Sequence, residues 1–298
     1  MTSTDNRALR PYEIAIPQRG GVTSAYEVGP GDRPVDIVFS HANGFNARTY
    51  RSILEPLTDT LRVLMVDQRG HGGSRLPADA DKPRDSWRDV GDDLTAVLDT
   101  LDLKNVILAG HSMGGASSLL AAAARPHRVR ALALFDPVIM SPEILAHIDR
   151  GSLNDSPLAV GARKRRPSFA SKAAAVEAYR GRGAFRTWSE AMLIDYVEDG
   201  FVETPAGDVT LTCAPAWEAS NFTAQGHEPY AAFDALDIPI RILRAEVGST
   251  CRLEGPEAIL TRSGKVQVEM VPGTSHFLPM ERSDLVVEVL RRLSSAIG

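Results

Sequence analysis

Val106-Ile-Leu-Ala-Gly-His-Ser-Met-Gly-Gly-Ala116 decides the fold of this chain: an apolar run breaks at Gly110-His111-Ser112-Met113-Gly114 and continues as a small-residue helical stretch. Four apolar residues without alternation read as a strand buried on both faces, and 113–124 reads as a helix. A Gly-x-Ser-x-Gly pattern at a strand-to-helix turn presents a nucleophilic serine. The turn must be tight enough to lift the hydroxyl above the sheet, and side chains two residues before and after it would strike the crossing backbone. Glycine is therefore wanted at 110 and 114. A helix starting directly beneath Ser112 also aims free N–H groups at developing negative charge. The plainer alternative is a serine that only caps the helix.

Outward from this stretch, strand-length apolar runs alternate with amphipathic ones. Strands are expected at 12–16, 24–28, 35–39, 63–66, 106–109 and 131–135, with helices over 48–57, 87–101 and 113–124. That order implies a mostly parallel sheet with helices on both faces. The rhythm breaks over 138–236, where no strand is evident and helices such as 172–180 and 188–198 are joined by glycine-containing loops. Strands return at 240–243 and 266–271, before a final amphipathic helix from 284 to about 296. The expected organisation is an α/β core of residues 1–137 and 237–298, interrupted by a helical insertion, 138–236.

The chain has 298 residues, 43% hydrophobic and 24% charged, an ordinary balance for a globular protein with a sizeable core. Its net charge of −5 argues against a polyanion-binding face, so no nucleic-acid partner is expected. The run Arg163-Lys-Arg-Arg166 suits an anionic partner or, more plainly, a solvated helix face. Two cysteines, Cys213 and Cys251, have no metal-type spacing and suggest a reducing, cytoplasmic setting. No secretory pattern opens the sequence, and the longest apolar stretches are far too short to span a membrane. No phosphate-cradling loop, metal cluster or cofactor motif is evident. Oligomeric state is not legible.

Three further motifs accompany Gly110-His-Ser-Met-Gly-Gly115: Ser40-His-Ala-Asn-Gly-Phe45, Asp67-Gln-Arg-Gly-His-Gly-Gly-Ser74 and Ser275-His276-Phe277. With them the chain resembles the α/β-hydrolases over nearly its whole length. The resemblance implies an α/β-hydrolase fold with a helical cap over the active site. It makes His276, on a loop before the last helix, the general base for Ser112. His41, His71 and His111 would orient loops around the site. The acid departs from the usual pattern. Many members carry an aspartate after the strand that ends here near Arg244, but Arg244-Ala-Glu-Val-Gly-Ser-Thr-Cys251 has none. Asp136, at the end of the 131–135 strand, resembles the arrangement of some members. Glu246, at the usual strand, is the alternative acid.

One oxyanion donor is expected at the backbone of Met113, and the other, by alignment with the family's His-Gly-x-Pro loop, at Asn43, with the register open by one residue. His41, His111, Trp188 and Trp217 are candidates for the substrate pocket. Tyr179, Phe185 and Phe222 belong either to it or to the insertion's own small core. A serine nucleophile argues against dehalogenase or epoxide-hydrolase chemistry. The expected activity is hydrolysis of a carboxylic ester or lactone through an acyl-enzyme. Cleavage of an activated carbon–carbon bond and non-catalytic ligand sensing are the alternatives.

Overall fold

The computed structural model describes residues 5–147, 153–253 and 264–295. Six strands come first: β1 Arg10–Ile16, β2 Gly21–Val28, β3 Ile37–Ser40, β4 Val63–Val66, β5 Val106–His111 and β6 Val129–Phe135. Three short ones follow, β7 Ser168–Phe169, β8 Phe201–Glu203 and β9 Val209–Leu211, and then β10 Ile240–Val247 and β11 Val266–Ser275. The main sheet has the order β1-β2-β4-β3-β5-β6-β10-β11. The β1–β2 and β2–β4 pairs are antiparallel, and every later pair is parallel.

The central strands are buried on both faces, which is why their sequences lack alternation. Ile37, Phe39, Val63, Met65, Ile107 and Ala109 meet one apolar layer, into which Val286, Leu290 and Leu293 of helix Ser283–Ser295 pack. The intervening Val38, Leu64, Val66 and Leu108 meet the other layer, with Leu94, Val97 and Leu98 of helix Arg88–Thr100 and Leu119, Ala121 and Ala122 of helix Met113–Ala124. The strand ends that carry the site thus rest on a core packed from both sides.

Two expectations need correction. The helix expected over 48–57 is three pieces, Ala47–Tyr50, Arg51–Leu54 and Glu55–Leu57, the outer two of 3-10 type. Pro56 brings no N–H to a continuous helix, and Asn46 with Thr49 forms a capping box that tightens the first turn. The segment after β6 is not purely helical either: β7, β9 and β8 form an antiparallel three-stranded sheet beside its helices. Strands of two or three residues are too short to carry a period-two pattern. Of the final helix, Ser283–Ser295 is described, and the expected last residue, Ala296, lies outside the described residues.

Candidate active site

Ser112 sits between β5 and helix Met113–Ala124 with φ 56° and ψ −118°, a strained conformation for a residue with a side chain. Its hydroxyl does not cap the helix. The glycines are required by contact: a Cβ on Gly114 would lie 2.1 Å from the Ser40 carbonyl oxygen, and one on Gly110 would lie 2.3 Å from that of Gly114. The helix can start this close to the sheet only because these positions are bare.

His276, in the turn after β11, places Nε2 3.0 Å from Ser112 Oγ. Its Nδ1 lies 2.6 Å from Asp136 Oδ2, so Nδ1 donates to the carboxylate and Nε2 faces the serine hydroxyl as acceptor. Asp136 follows β6 directly, fully buried, with φ 40°. Burial alone would raise its pKa. The hydrogen bond and charge of His276, with donors from Ser249 and Ala245, outweigh burial and hold it below the usual carboxylate value. Oδ1 accepts from Ala245 N at 2.9 Å and Ser249 Oγ at 2.5 Å, and Oδ2 accepts from Thr250 N at 3.2 Å. Glu246 is exposed and accepts from Gly273 N at 2.8 Å, away from the imidazole. The loop that lacks the expected aspartate therefore holds Asp136, the candidate acid, with two hydroxyl-bearing residues, Ser249 and Thr250. Sequence reasoning missed both. The adjacent hydroxyls in a loop emptied of its acid were the available signal.

The loop after β3 is held almost atom by atom. Ala42 N donates to Tyr50 Oη at 3.2 Å, Gly44 N to His71 Nε2 at 3.0 Å, and Phe45 N to the Ala42 carbonyl at 3.1 Å. Among the described residues these bonds leave the Asn43 amide as the one between Ala42 and Phe45 without an internal acceptor. The Asn43 side chain is also fixed. Its Nδ2 donates to the Glu218 carbonyl at 2.9 Å, and its Oδ1 accepts from Asn221 Nδ2 at 2.9 Å.

The buried histidines have one tautomer each. His41 Nδ1 donates to the Ala42 carbonyl at 2.7 Å, and its Nε2 accepts from Gln68 N at 2.9 Å. His71 Nδ1 donates to the Arg69 carbonyl at 2.9 Å, which leaves Nε2 to accept from Gly44. His111 Nε2 donates to the His276 carbonyl at 2.7 Å, so Nδ1 accepts from Tyr50 Oη at 2.7 Å. Burial keeps all three neutral, lowering His41 to about 4, His111 to about 3 and His71 well below its ordinary value. A chain from Ala42 through Tyr50 and His111 to the His276 backbone thus ties the loop after β3 to the catalytic-type histidine.

Ser112 and His276 open onto a cavity of about 680 Å³. His111 and Asn43 line it, as do Phe185 and Phe222. The other pocket candidates do not. His41 is buried beneath the site, Trp188 packs edge-on against Phe45, and Trp217 donates Nε1 to the Arg69 carbonyl at 3.0 Å. Tyr179 stacks on Phe185 in the aromatic cluster between the helices and β7–β9. Within the run 163–166, Arg163, Lys164 and Arg166 are exposed, but Arg165 turns inward to the cavity, where it pairs with Glu218 and donates to Tyr196 Oη at 2.5 Å. Among the described residues no group of three or more His, Cys, Asp or Glu is placed to hold a metal ion, and no helix is long and apolar enough to cross a membrane.

Comparison with known proteins identifies the family and the fold. Residues 37–289 match the model of the Alpha/beta hydrolase family. A 2-hydroxy-6-oxo-2,4-heptadienoate hydrolase of Pseudomonas putida strain F1 is 36% identical over 132 residues, 44% of this chain and 46% of that protein. A 2-(acetamidomethylene)succinate hydrolase of Mesorhizobium japonicum is 34% identical over 102 residues, 34% of each chain. The matches thus span a third to a half of these relatives. The crystal structure of E-2-(acetamidomethylene)succinate hydrolase superposes with a TM-score of 0.75 at 22% identity, covering 96% of this chain and 99% of that one, a likeness of fold. A match over most of the chain, together with a serine at the tight turn after β5, places this protein in the α/β hydrolase family.

Proposed function

We propose that the protein is a serine hydrolase that cleaves a small carboxylic ester or lactone through an acyl-enzyme. Ser112 Oγ attacks the carbonyl carbon while His276 Nε2 takes the hydroxyl proton, and the backbone amides of Met113 and Asn43 hold the oxyanion. The tetrahedral intermediate collapses with loss of the alcohol, which receives that proton from His276. Water then enters, gives a proton to His276, and attacks the acyl carbon to release the acid and restore Ser112. Asp136 fixes the imidazole tautomer and stabilises the imidazolium without taking its proton. Residues 138–236 act as a cap that closes the cavity and sets its specificity. The observation that carries this reading is the line from Ser112 to His276 (3.0 Å) and on to Asp136 (2.6 Å) at the floor of an open cavity.

Burst and steady-state hydrolysis of short p-nitrophenyl esters tests it. Wild type should show an acyl-enzyme burst, and Ser112→Ala should lose turnover by roughly 10⁴-fold or more. Equal rates in the two proteins would end the ester reading. A second reading draws on relatives whose names denote a 6-oxo dienoate and a muconate semialdehyde: the same three residues would cleave an activated carbon–carbon bond. Turnover of vinylogous diketones with idle esters would favour it.

A further inference from the structure

The cavity walls contain few charged groups, and they do not balance. Arg165 is compensated by Glu218. Arg252 also lines the cavity, exposed at its mouth, and among the described residues its guanidinium has no hydrogen-bond or ion-pair partner. Among the described residues Arg165, Glu218 and Arg252 therefore give the lining one net positive charge, on a chain whose net charge is −5. Gln225, half-buried in the same lining, likewise has no partner for its side-chain amide among the described residues.

The segments that carry these two side chains are tied together through Val138 and Ile139. Val138 N donates to the Ser112 carbonyl at 3.3 Å, so this wall starts at the nucleophile. Ile139 N donates to the Thr250 carbonyl at 3.1 Å, and Arg252 N donates to the Ile139 carbonyl at 2.8 Å. On the same segment His227, two residues after Gln225, donates Nε2 to the Val138 carbonyl at 3.0 Å. Thr250 contacts the acid, and Arg252 lies two extended residues further out, roughly 7 Å along the wall. The same lining includes the apolar Met140, Ile144, Leu158 and Phe222.

From this we infer that Arg252, assisted by Gln225, binds a carboxylate carried by the substrate several bonds from the scissile carbonyl, which makes the substrate a half-ester or a comparable anionic acyl compound with an apolar body. The inference rests on the hydrolase reading above. A guanidinium offers paired N–H donors in the geometry of a carboxylate, and an amide N–H completes the set. Because Arg252 is exposed, solvent screens the pair, and about a tenfold preference is expected rather than the larger effect of a buried one.

Two matched pairs of esters test it with wild type, Arg252→Gln and Arg252→Glu. On the acyl side, the mono-p-nitrophenyl ester of glutaric acid is compared with p-nitrophenyl valerate. On the leaving-group side, 4-carboxyphenyl butyrate is compared with phenyl butyrate. Wild type should favour the anionic member of at least one pair by about tenfold in kcat/KM, and less so at high salt. Arg252→Gln should bring that ratio close to one, and Arg252→Glu should invert it. No preference in wild type, or a ratio unchanged in Arg252→Gln, overturns the inference while leaving neutral-ester turnover to speak for the hydrolase. If no ester is turned over, calorimetry on Ser112→Ala still decides. Monoethyl adipate should bind at least several-fold tighter than ethyl valerate and lose that advantage in Ser112→Ala/Arg252→Gln. Equal binding of the two compounds overturns the proposal.

Discussion

The two walls of the cavity treat their polar groups in opposite ways. On the sheet side the polar side chains around Ser112 have partners: Asp136 accepts from several donors, His111 uses both ring nitrogens, and the loop after β3 directs its amides inward except at Asn43. On the opposite side, from Val138–Met140 to Gln225 and Arg252, the surface is largely apolar, with two side chains, Gln225 and Arg252, that have no polar partner among the described residues. A group that must hold a tautomer or face a developing charge cannot also be free to reorient, so a wall built for chemistry is rigidly hydrogen-bonded. A wall built for recognition keeps its donors open for a ligand. The difference gives each wall its own way to fail.

The largest effect is expected where the bonded wall loses its charge. Asp136→Asn keeps the volume but places an NH2 where His276 Nδ1 donates, and it also faces the donors from Ala245, Ser249 and Thr250. The imidazole then favours the wrong tautomer, and kcat should fall by roughly 10³–10⁴-fold. Glu246→Gln should change kcat by less than about twofold, since Glu246 bonds only the Gly273 amide near the surface. A crippled Glu246→Gln beside an active Asp136→Asn would move the acid to β10.

Acid should weaken the same wall before the other. Burial penalises the charged form of its histidines, lowering His41 to about 4, His111 to about 3 and His71 well below its ordinary value. Their folded-state pKa values lie below the unfolded value near 6.5. Their contribution is therefore complete above pH 6.5 and is lost as pH falls toward 4, by up to about 1.4 kcal/mol per pH unit for each. Asp67 and Asp199 shift the opposite way, raised by burial, and return part of that loss. Calorimetry should find a Tm at pH 5 clearly below that at pH 7.5. A flat profile would mean that these histidines exchange protons freely in the folded state.

The same contrast explains what could be read from the sequence. Unbroken apolar runs such as Val106–Ala109 and the bare positions Gly110 and Gly114 answer to local rules, because a strand buried on both faces and a helix pressed on a sheet permit little else. Ser112 is read from the glycine-flanked turn, His276 and Asp136 from the resemblance to the α/β-hydrolases, with Glu246 as the alternative acid. What Ser249, Thr250 and Tyr50 do could not be read, since each acts across long sequence separations set only by tertiary packing. The recognition side was harder still. Phe185 faces the cavity and Tyr179 stacks behind it, yet their local sequences give no reason for the difference.

The two walls are tied at Asn221, on helix Pro215–Thr223, and loosening that tie gives the smallest and most discriminating effect. Its Nδ2 holds Asn43, its Oδ1 accepts from Arg84 Nη1 at 2.7 Å, and its carbonyl accepts from Trp87 Nε1 at 3.0 Å. Asn221→Ala removes the side-chain bonds but leaves the backbone carbonyl to Trp87, so the helix should stay seated with a stability loss of about 1–2 kcal/mol. Asn43 then keeps only its bond to the Glu218 carbonyl, and its amide is less firmly aimed at the oxyanion. In its proposed role as an oxyanion donor that amide would interact more strongly with the transition state than with the substrate, so kcat should fall about three- to tenfold while KM stays near its wild-type value. Asn221→Asp, which cannot donate to Asn43 Oδ1, should reproduce the loss, whereas Asn221→Gln should recover part of it. A rise in KM with kcat intact would instead assign Asn221 to the recognition wall, and the tie would then serve substrate fit rather than the oxyanion.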